Sequence, residues 1–557
     1  MNGIVERLLE RRGLSGEALA EFLDPSIKRL ANAVELPGIG EAVDVIMPFI
    51  KARRRIAVFG DYDCDGVCAS AILVKTFRRL GAPADAFMPD RFTEGYGMSP
   101  HSIARMMEEH PDTALVVTVD CGITSAQEVK ALRDRGVAVV VTDHHLPPPT
   151  LPECDALVDP KVEAQSAGAE RIGAKDLCGA GVAFFLASAL AARAAAEGIY
   201  GGGKFGAPLL VLAGLATVVD IVPLLGQNRI LAANALRSFR RAPVGLLELL
   251  LRAQRRPVEL TSRDFGVLLG PRINAAGRMA SATKAYGLLM AEDREEARGL
   301  AQKVDAHNME RKSIENQMAA DAQAQIAEGG AAAFVVSDER CDGSVKWHPG
   351  VSGIVASRLS DRNGVPVAVV VEGRGSVRAP DGYDVHAALS ACAEFLDRFG
   401  GHRAAGGFSV KEGMLAEFTD AFVAACAAQR DVRGEATGGE AGEPDLWIGP
   451  GDLTMELYGE LKALEPFGEG NPEPVFGIRG VAIDPRPLGD SGKHMSVEFK
   501  DRRIPRATWW NRGDKVEELR AKAFRPFDVT FTLDIDDWGD AQPRLALRLC
   551  GISQSGC

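Results

Sequence analysis

The ten cysteines of this chain stand singly, with no C-x-x-C pair and no regular spacing. That argues against a zinc ribbon and a disulfide framework, and it fits a reducing compartment. No uninterrupted apolar run reaches the length of a membrane helix, and residues 1–12 carry acids and arginines with no apolar signal core. A cytoplasmic protein without a membrane partner is the expectation. A basic excess is missing too: the net charge is −12. This counts against coating nucleic acid by bulk electrostatics but leaves room for a local basic groove. Apolar residues at 46% and charged residues at 25% of 557 positions are ordinary globular values. The chain is long enough for three or four domains, each with its own core.

What the sequence does hold is a short apolar run, 56–60, ending in Asp61-Tyr62-Asp63-Cys64-Asp65-Gly66. In extended chain, acids at i, i+2 and i+4 share one face. Carboxylates that close cannot easily all ionise unless a cation lies between them. A calcium loop of the EF-hand kind also reads D-x-D-x-D-G, but it needs Glu at loop position 12, and here that position is Ile72.

From Arg55 the pattern alternates strand and helix, which predicts a parallel sheet with helices on its faces. After the acids, Leu73, Val74, Phe77 and Leu80 fall at helical spacing and stop at Gly81. Further strands are predicted at 84–88, 114–119 and 137–142. The first leads to Arg91 and the loop Glu94-Gly95-Tyr96-Gly97; the others end in Asp120-Cys121-Gly122 and Asp143-His144-His145. Ligands of open parallel sheets sit at the carboxyl ends of the strands, so these ends are the candidate site. Asp220 closes an apolar run, 209–219, that periodicity leaves undecided between helix and buried strand. Gly179-Ala180-Gly181 opens an apolar helix, but Phe184 stands where a dinucleotide fingerprint needs a small residue, so no nucleotide cofactor is expected.

Residues 270–278 set Arg272 and Arg278 beside a glycine turn, suited to phosphate contact. No proline interrupts 291–327, and Leu300, Val304, Ile314, Met318 and Ile326 fall near one stripe. This predicts a bridging helix roughly 50 Å long. A second α/β domain, from about residue 331, holds His348-Pro349-Gly350, Ser376-Val377-Arg378, and a glycine loop carrying His402 and Arg403, a candidate phosphate cradle. Segment 431–445 is a linker rich in Gly and Glu. Beyond it, alternating segments predict a small β-barrel in which Lys493, Lys500, Arg502, Arg503, Arg506 and Arg512 surround Trp509-Trp510. Such interleaving suits a single nucleic-acid strand, with core packing of the tryptophans as the equal alternative. Hard oxygen ligands with one or two imidazoles favour Mn²⁺ or Mg²⁺ over zinc, and the number of acids points to two ions. Two such ions suit phosphodiester hydrolysis.

Asp61 to Gly66, Asp143-His144-His145 and Gly401-His402-Arg403-Ala404-Ala405-Gly406-Gly407 resemble the signatures of the DHH phosphoesterases. Within them the similarity is to the single-strand-specific 5′→3′ DNA exonucleases, whose further motifs resemble Gly95-Tyr96-Gly97, residues 270–278, His348-Pro349-Gly350 and residues 466–474. The resemblance covers the whole chain and implies an α/β architecture. A helical packing segment at 1–50 would precede a parallel-sheet DHH catalytic domain at 51–290. A connecting helix at 291–328, a DHHA1 substrate domain at 329–430, the linker 431–445 and an OB-fold β-barrel at 446–557 would follow.

The resemblance also implies that Asp63, Asp65, Asp120, His144 and Asp220 hold two Mn²⁺ or Mg²⁺ ions, with Asp61 nearby and Asp120 as the bridge. His145 would contact the scissile phosphate. Phe59 stands where family pyrophosphatases carry a His ligand, which implies a looser ion recruited with substrate. Arg91, Arg278, Ser376 and Arg378 would hold a 5′ phosphate. Tyr96, His402 and Arg403 would be further substrate contacts, and Trp509 and Trp510 would stack on bases. Implied partners of the monomer are single-stranded DNA with a 5′ end, a RecQ-type helicase and a single-strand-binding protein. Two other readings share the fold: a phosphodiesterase of short RNA or cyclic dinucleotides, with little need of the barrel, and a non-catalytic Cdc45-like scaffold, which typically loses the metal acids.

Overall fold

The computed structural model describes residues 3–95, 97–200, 206–326, 331–341, 343, 345–433, 443–489, 491–536 and 543–555. Tyr96 and most of the 431–445 linker therefore lie outside the described residues.

The alternating apolar runs build five parallel strands, β1 (Arg55–Gly60), β2 (Ala84–Phe87), β3 (Thr113–Val119), β4 (Ala138–Thr142) and β5 (Ala156–Val158), in the order β2-β1-β3-β4-β5. The central strands are apolar on both faces because helices cover both. Ile56, Val58, Leu115, Val117 and Val140 pack on one side with the helices Ile39–Lys51, Cys64–Arg79 and Gly179–Ala196. Phe59, Val116, Val139 and Val141 pack on the other with Ile103, Met106, Val129 and Leu132. The strand order reverses between β1 and β3. The loops leaving these two strands diverge and open a crevice at their carboxyl ends. Asp61 to Asp65 follow β1 and Asp120 follows β3, so the fold delivers them to the same crevice.

Two apolar segments that periodicity could not place are core helices. Gly179–Ala196 has the length and hydropathy of a membrane span, yet 67% of it is buried inside the protein, against Cys64–Arg79. The 209–219 run is the helix Ala207–Val219, with Asp220 at its C-cap.

The long helix Arg294–Ala324 starts at Asp293, whose side chain accepts from the amides of Glu295 and Glu296. Its 31 residues span roughly 45 Å. The first half places Ala301 and Val304 in the catalytic core, and the second places Met318, Ala319 and Ala322 against Trp347, Val351 and Val355. It thereby fixes a second sheet, β6 (Phe334–Ser337), β7 (Val367–Val371), β8 (Arg374–Arg378), β9 (Leu396–Gly401) and β10 (Ala405–Val410), ordered β6-β7-β8-β10-β9.

The third unit comprises β11 (Leu446–Trp447), β12 (Phe476–Val481), β13 (Ile483–Leu488), β14 (His494–Phe499), β15 (Ala507–Trp509), β16 (Phe527–Asp536) and β17 (Arg544–Gln554). Their order is β11-β12-β16-β17-β15-β14-β13. Because β12 and β13 are halves of one strand bent at Ala482, the sheet returns on itself as a barrel. Its core includes Ile4, Val5, Leu8, Leu9 and Phe22 from the first two helices, Gly3–Arg11 and Gly16–Leu23. The N-terminal segment is thus divided: residues 3–23 pack with the barrel, and Ile39–Lys51 with the catalytic sheet.

Arg229 joins these parts. It is 2% exposed, and its guanidinium donates to the carbonyls of Phe22 (2.8 Å), Leu464 (3.0 Å) and Glu465 (3.0 Å). The 466–474 motif seats the barrel beside it. Leu224 N–H donates to Glu469 O at 2.8 Å, and a Cβ on Gly468 would meet Leu224 Cδ1 at 2.7 Å.

Candidate metal centre and phosphate pocket

Three groups of potential ligand atoms lie together at the crevice, each within 4.8 Å: Asp61, Asp63 and Asp120; Asp65, His144 and Asp220; and Asp120, His144 and His145. His144 Nε2 stands 3.0 Å from Asp120 Oδ1, 3.6 Å from Asp65 Oδ2 and 3.7 Å from Asp220 Oδ2. Each side chain is delivered by local structure. Asp63 caps the helix Cys64–Arg79, its Oδ1 accepting from the amides of Asp65 (2.9 Å) and Gly66 (3.1 Å). Asp120 takes a left-handed backbone, φ +59°, which an acid tolerates better than a branched residue.

Burial and mutual repulsion make this cluster costly when no cation is bound. Asp120 is raised well above the ordinary carboxyl range by burial and then by Asp65, Asp63, Asp61 and Asp220. Asp61 is raised by burial and by Asp63. Asp220 is pushed up to about 9 by burial, Asp65 and Asp63. Asp65 reaches about 6 by burial and Asp63, although the amides of Ala180 and Gly179 pull it back. Burial, with His145, lowers His144 to about 3, so its ring stays neutral, the form that ligates metal. Asp61 Oδ1 and His144 Nδ1 are buried with no hydrogen-bond partner among the described residues. Carboxylates with an imidazole, one carboxylate oxygen among them unsatisfied, fit hard divalent cations such as Mn²⁺ and Mg²⁺.

A second layer fixes these acids, and sequence reasoning missed most of it. Gly179 N–H and Ala180 N–H, at the start of the helix Gly179–Ala196, donate to the Asp65 carboxylate at 2.6 and 2.8 Å. A Cβ on Gly179 would lie 2.7 Å from Asp120 Cβ. Asn274 Oδ1 accepts from Cys64 N–H at 2.6 Å, and a Cβ on Gly277 would lie 2.6 Å from Tyr62 O. The helix Gly270–Met279 therefore lies directly on the acidic loop. The glycine opening the 179–196 run is the available signal, although it does not fit a nucleotide fingerprint.

Asp143 orients the histidines. Its Oδ1 accepts from the backbone N–H of His144 (2.8 Å) and lies 2.7 Å from His145 Nδ1, while Ile123 N–H donates to Oδ2 at 2.9 Å. Burial would raise Asp143, but the hydrogen bond and charge of His145 outweigh it and keep the acid below its usual range. The same pair raises His145 against the opposing effect of burial. Next to it, Asp159 follows β5 and is pushed up to about 7, chiefly by burial.

Arg91, Arg278 and Arg378 converge beside this cluster. Burial brings Arg278 down to about 10, with the charge of Arg91 adding to it and Asp63 opposing. Arg378 is lowered by burial and then by Arg91. The Arg91 guanidinium lies 5.2 Å from the centre of the Tyr62 ring, and Ser376 Oγ is 2.9 Å from Ser352 Oγ. Among the described residues, none of the three arginines has a carboxylate within ion-pair distance. Cations that repel one another without an acid partner form a pocket for an anion. Both domains build it: Arg374 Nη1 donates to Phe92 O at 2.9 Å, and His348 meets the Phe92 ring edge-on at 5.5 Å.

His402 and Arg403 occupy the exposed turn between β9 and β10, where Arg403 faces Asp384 at 3.9 Å. Their neighbours Ala405, Gly406 and Gly407 pair with Arg378, Val377 and Ser376 of β8. The two tryptophans divide between the readings open to the sequence. Trp509 packs against the barrel core, with Arg512 5.7 Å from its ring centre. Trp510 is 50% exposed and meets His494 edge-on at 4.8 Å.

Fold and site together define a DHH-type core with a companion domain and a barrel. The DHH family N-terminal domain matches residues 55–203, the DHHA1 domain residues 322–428 and the RecJ OB domain residues 444–549. The single-stranded-DNA-specific exonuclease RecJ of Haemophilus influenzae is 33% identical over 89% of this chain and 86% of its own. Its counterpart in Bacillus subtilis is 32% identical over 99% of this chain and 68% of its own. The chain belongs to the RecJ family. Among solved structures, RecJ of Thermus thermophilus in complex with Mn²⁺ superposes with a TM-score of 0.82 at 31% identity, covering 99% of this chain and 76% of the other. A manganese-bound exonuclease RecJ covers 72% of this chain and 97% of its own, with a TM-score of 0.62 at 34% identity.

Proposed function

We propose that this chain is a single-stranded-DNA-specific exonuclease that hydrolyses phosphodiester bonds from the 5′ end, releasing 5′-mononucleotides in DNA repair and recombination. The observation that carries the polarity is the arginine pocket bordering the acidic cluster, a pocket with no carboxylate in ion-pair contact among the described residues. A terminal 5′ phosphate held by Arg91, Arg278, Arg378 and Ser376 would set the first phosphodiester bond over the acids.

Asp63, Asp65, Asp120, His144 and Asp220 would hold two Mn²⁺ or Mg²⁺ ions, with Asp61 beside them. Asp120 and His144 each belong to two of the three ligand groups, and of the two it is the carboxylate of Asp120, with two oxygens, that would serve both ions. Bound there, the ions supply an activated water and stabilise the leaving oxygen. The amides of Gly179 and Ala180 hold Asp65 in place, and Asn274 holds the acidic loop. Asp143 holds His145 by Nδ1, which leaves Nε2 as the atom to meet the scissile phosphate. The exposed Trp510 and the basic residues around it would grip the strand further along, and this grip favours a long single strand over a cyclic dinucleotide. We place the protein in the cytoplasm as a monomer working with a helicase of the RecQ type and a single-strand-binding protein.

The test is digestion of 5′-phosphorylated single strands, duplexes, RNA and cyclic dinucleotides side by side with Mn²⁺ or Mg²⁺. Single-stranded DNA should be degraded at least tenfold faster than the others. Preference for the cyclic dinucleotide would refute the assignment.

A further inference from the structure

Ile221 directly follows Asp220 and holds a backbone that isoleucine rarely adopts. The helix Ala207–Val219 ends with Asp220 at its C-cap, and Ile221 has φ +59°. Helices that end this way usually place glycine there, because a β-branched side chain crowds the left-handed backbone. Ile221 is nevertheless 70% exposed, so its own packing does not explain why the strain is kept. Strain of this kind collects at binding sites.

The side chain borders a cavity of about 560 Å³, whose apolar wall also includes Val218, Val222, Leu224 and Phe467. A cavity of that size suits a nucleotide. Its charged lining is Arg263 and Arg548 with Glu469 and Glu473. Arg548 pairs with Glu473; Arg263 makes no ion pair within contact distance among the described residues, though its charge also acts on Glu473. The arginine pocket borders Asp61 and Asp63, while Asp220 groups with Asp65 and His144. Val218, Ile221 and Val222 of the cavity wall bracket Asp220 in sequence, which sets the cavity beside the Asp65, His144 and Asp220 group.

We propose that this cavity is the subsite for the nucleotide on the 3′ side of the scissile bond, with its base against Ile221 and its outgoing phosphate facing Arg263. The assignment rests on the exonuclease reading above. Apolar contact with a base carries no sequence code, as an enzyme that digests any strand requires.

Ile221→Gly tests it cleanly, since glycine accepts the same φ and the fold should hold. The substrates are two 5′-phosphorylated dinucleotides, one with a normal second nucleotide and one abasic there. Wild type should prefer the normal one about tenfold in kcat/KM, the worth of one good apolar contact. In Ile221→Gly the preference should collapse towards one, through KM, with Mn²⁺ binding and Tm unchanged or Tm raised. Arg263→Gln should lower kcat/KM on a trinucleotide several-fold more than on the dinucleotide. An active Ile221→Gly that keeps the preference overturns the subsite alone. A wild type inert on every 5′-phosphorylated strand overturns the exonuclease reading and the subsite with it.

Discussion

Gly179 donates its backbone N–H to Asp65 Oδ2 at 2.6 Å, across 114 positions of sequence. A helix start is electropositive, so it stabilises the carboxylate and aims it at the cluster. The glycine is required because a Cβ would strike Asp120.

Gly179→Ala should therefore weaken Mn²⁺ binding roughly 10- to 100-fold, the usual effect of disturbing the residues behind metal ligands. Calorimetry with Mn²⁺, beside a thermal melt, checks this. Unchanged affinity in a folded variant would show that the helix start does not position the site.

Asp120→Ala should abolish hydrolysis while leaving the protein folded. Its acid is the proposed bridge, and its removal takes away a buried carboxyl that Asp65, Asp63, Asp61 and Asp220 repel. The metal-free variant should melt no lower than metal-free wild type. Wild-type turnover in the variant would end the two-ion account.

Stability of the metal-free protein should fall as pH rises. Asp220 titrates near 9 and Asp159 near 7 in the folded chain, both raised above an unfolded value near 4. The folded state thus binds more protons, and the stability it gains is full below pH 4 and lost as pH climbs through 7 and 9. Mn²⁺ should offset the loss at the cluster, so the gain in Tm over EDTA should be larger at pH 8.5 than at pH 6. An equal gain at both values would contradict this.

Arg378→Ala should weaken capture of a 5′-phosphorylated end by roughly 10- to 150-fold, since a charge-assisted contact contributes roughly 1.5–3 kcal/mol. The defect should shrink on 5′-hydroxyl strands. Equal losses on both ends would place the end-reader elsewhere.

The catalytic half was legible because its chemistry lies at strand ends: the acids after β1, Asp120 after β3 and the histidines after β4 all follow apolar runs that periodicity can find. Asp220 could be singled out but its helix could not be assigned, since Ala207–Val219 is apolar all round and gives no period. Asn274 and Gly179 act through backbone contacts between segments distant in sequence, which no local pattern encodes. The same holds for the union of residues 3–23 with the barrel. Deleting 446–557 alone would expose Ile4, Val5, Leu8, Leu9 and Phe22, so a truncation that tests the barrel as a DNA grip must also remove the first two helices.

The central claim is that the arginine pocket and the acidic cluster together cut from the 5′ end, and the most direct measurement is polarity. A 5′-phosphorylated single strand carrying a label in its first nucleotide or its last is incubated with Mn²⁺, and label release is timed. Release of the first label as a mononucleotide well before the last, abolished by Asp120→Ala and slowed by Arg378→Ala, is the result predicted. Release of the 3′ label first would contradict the account.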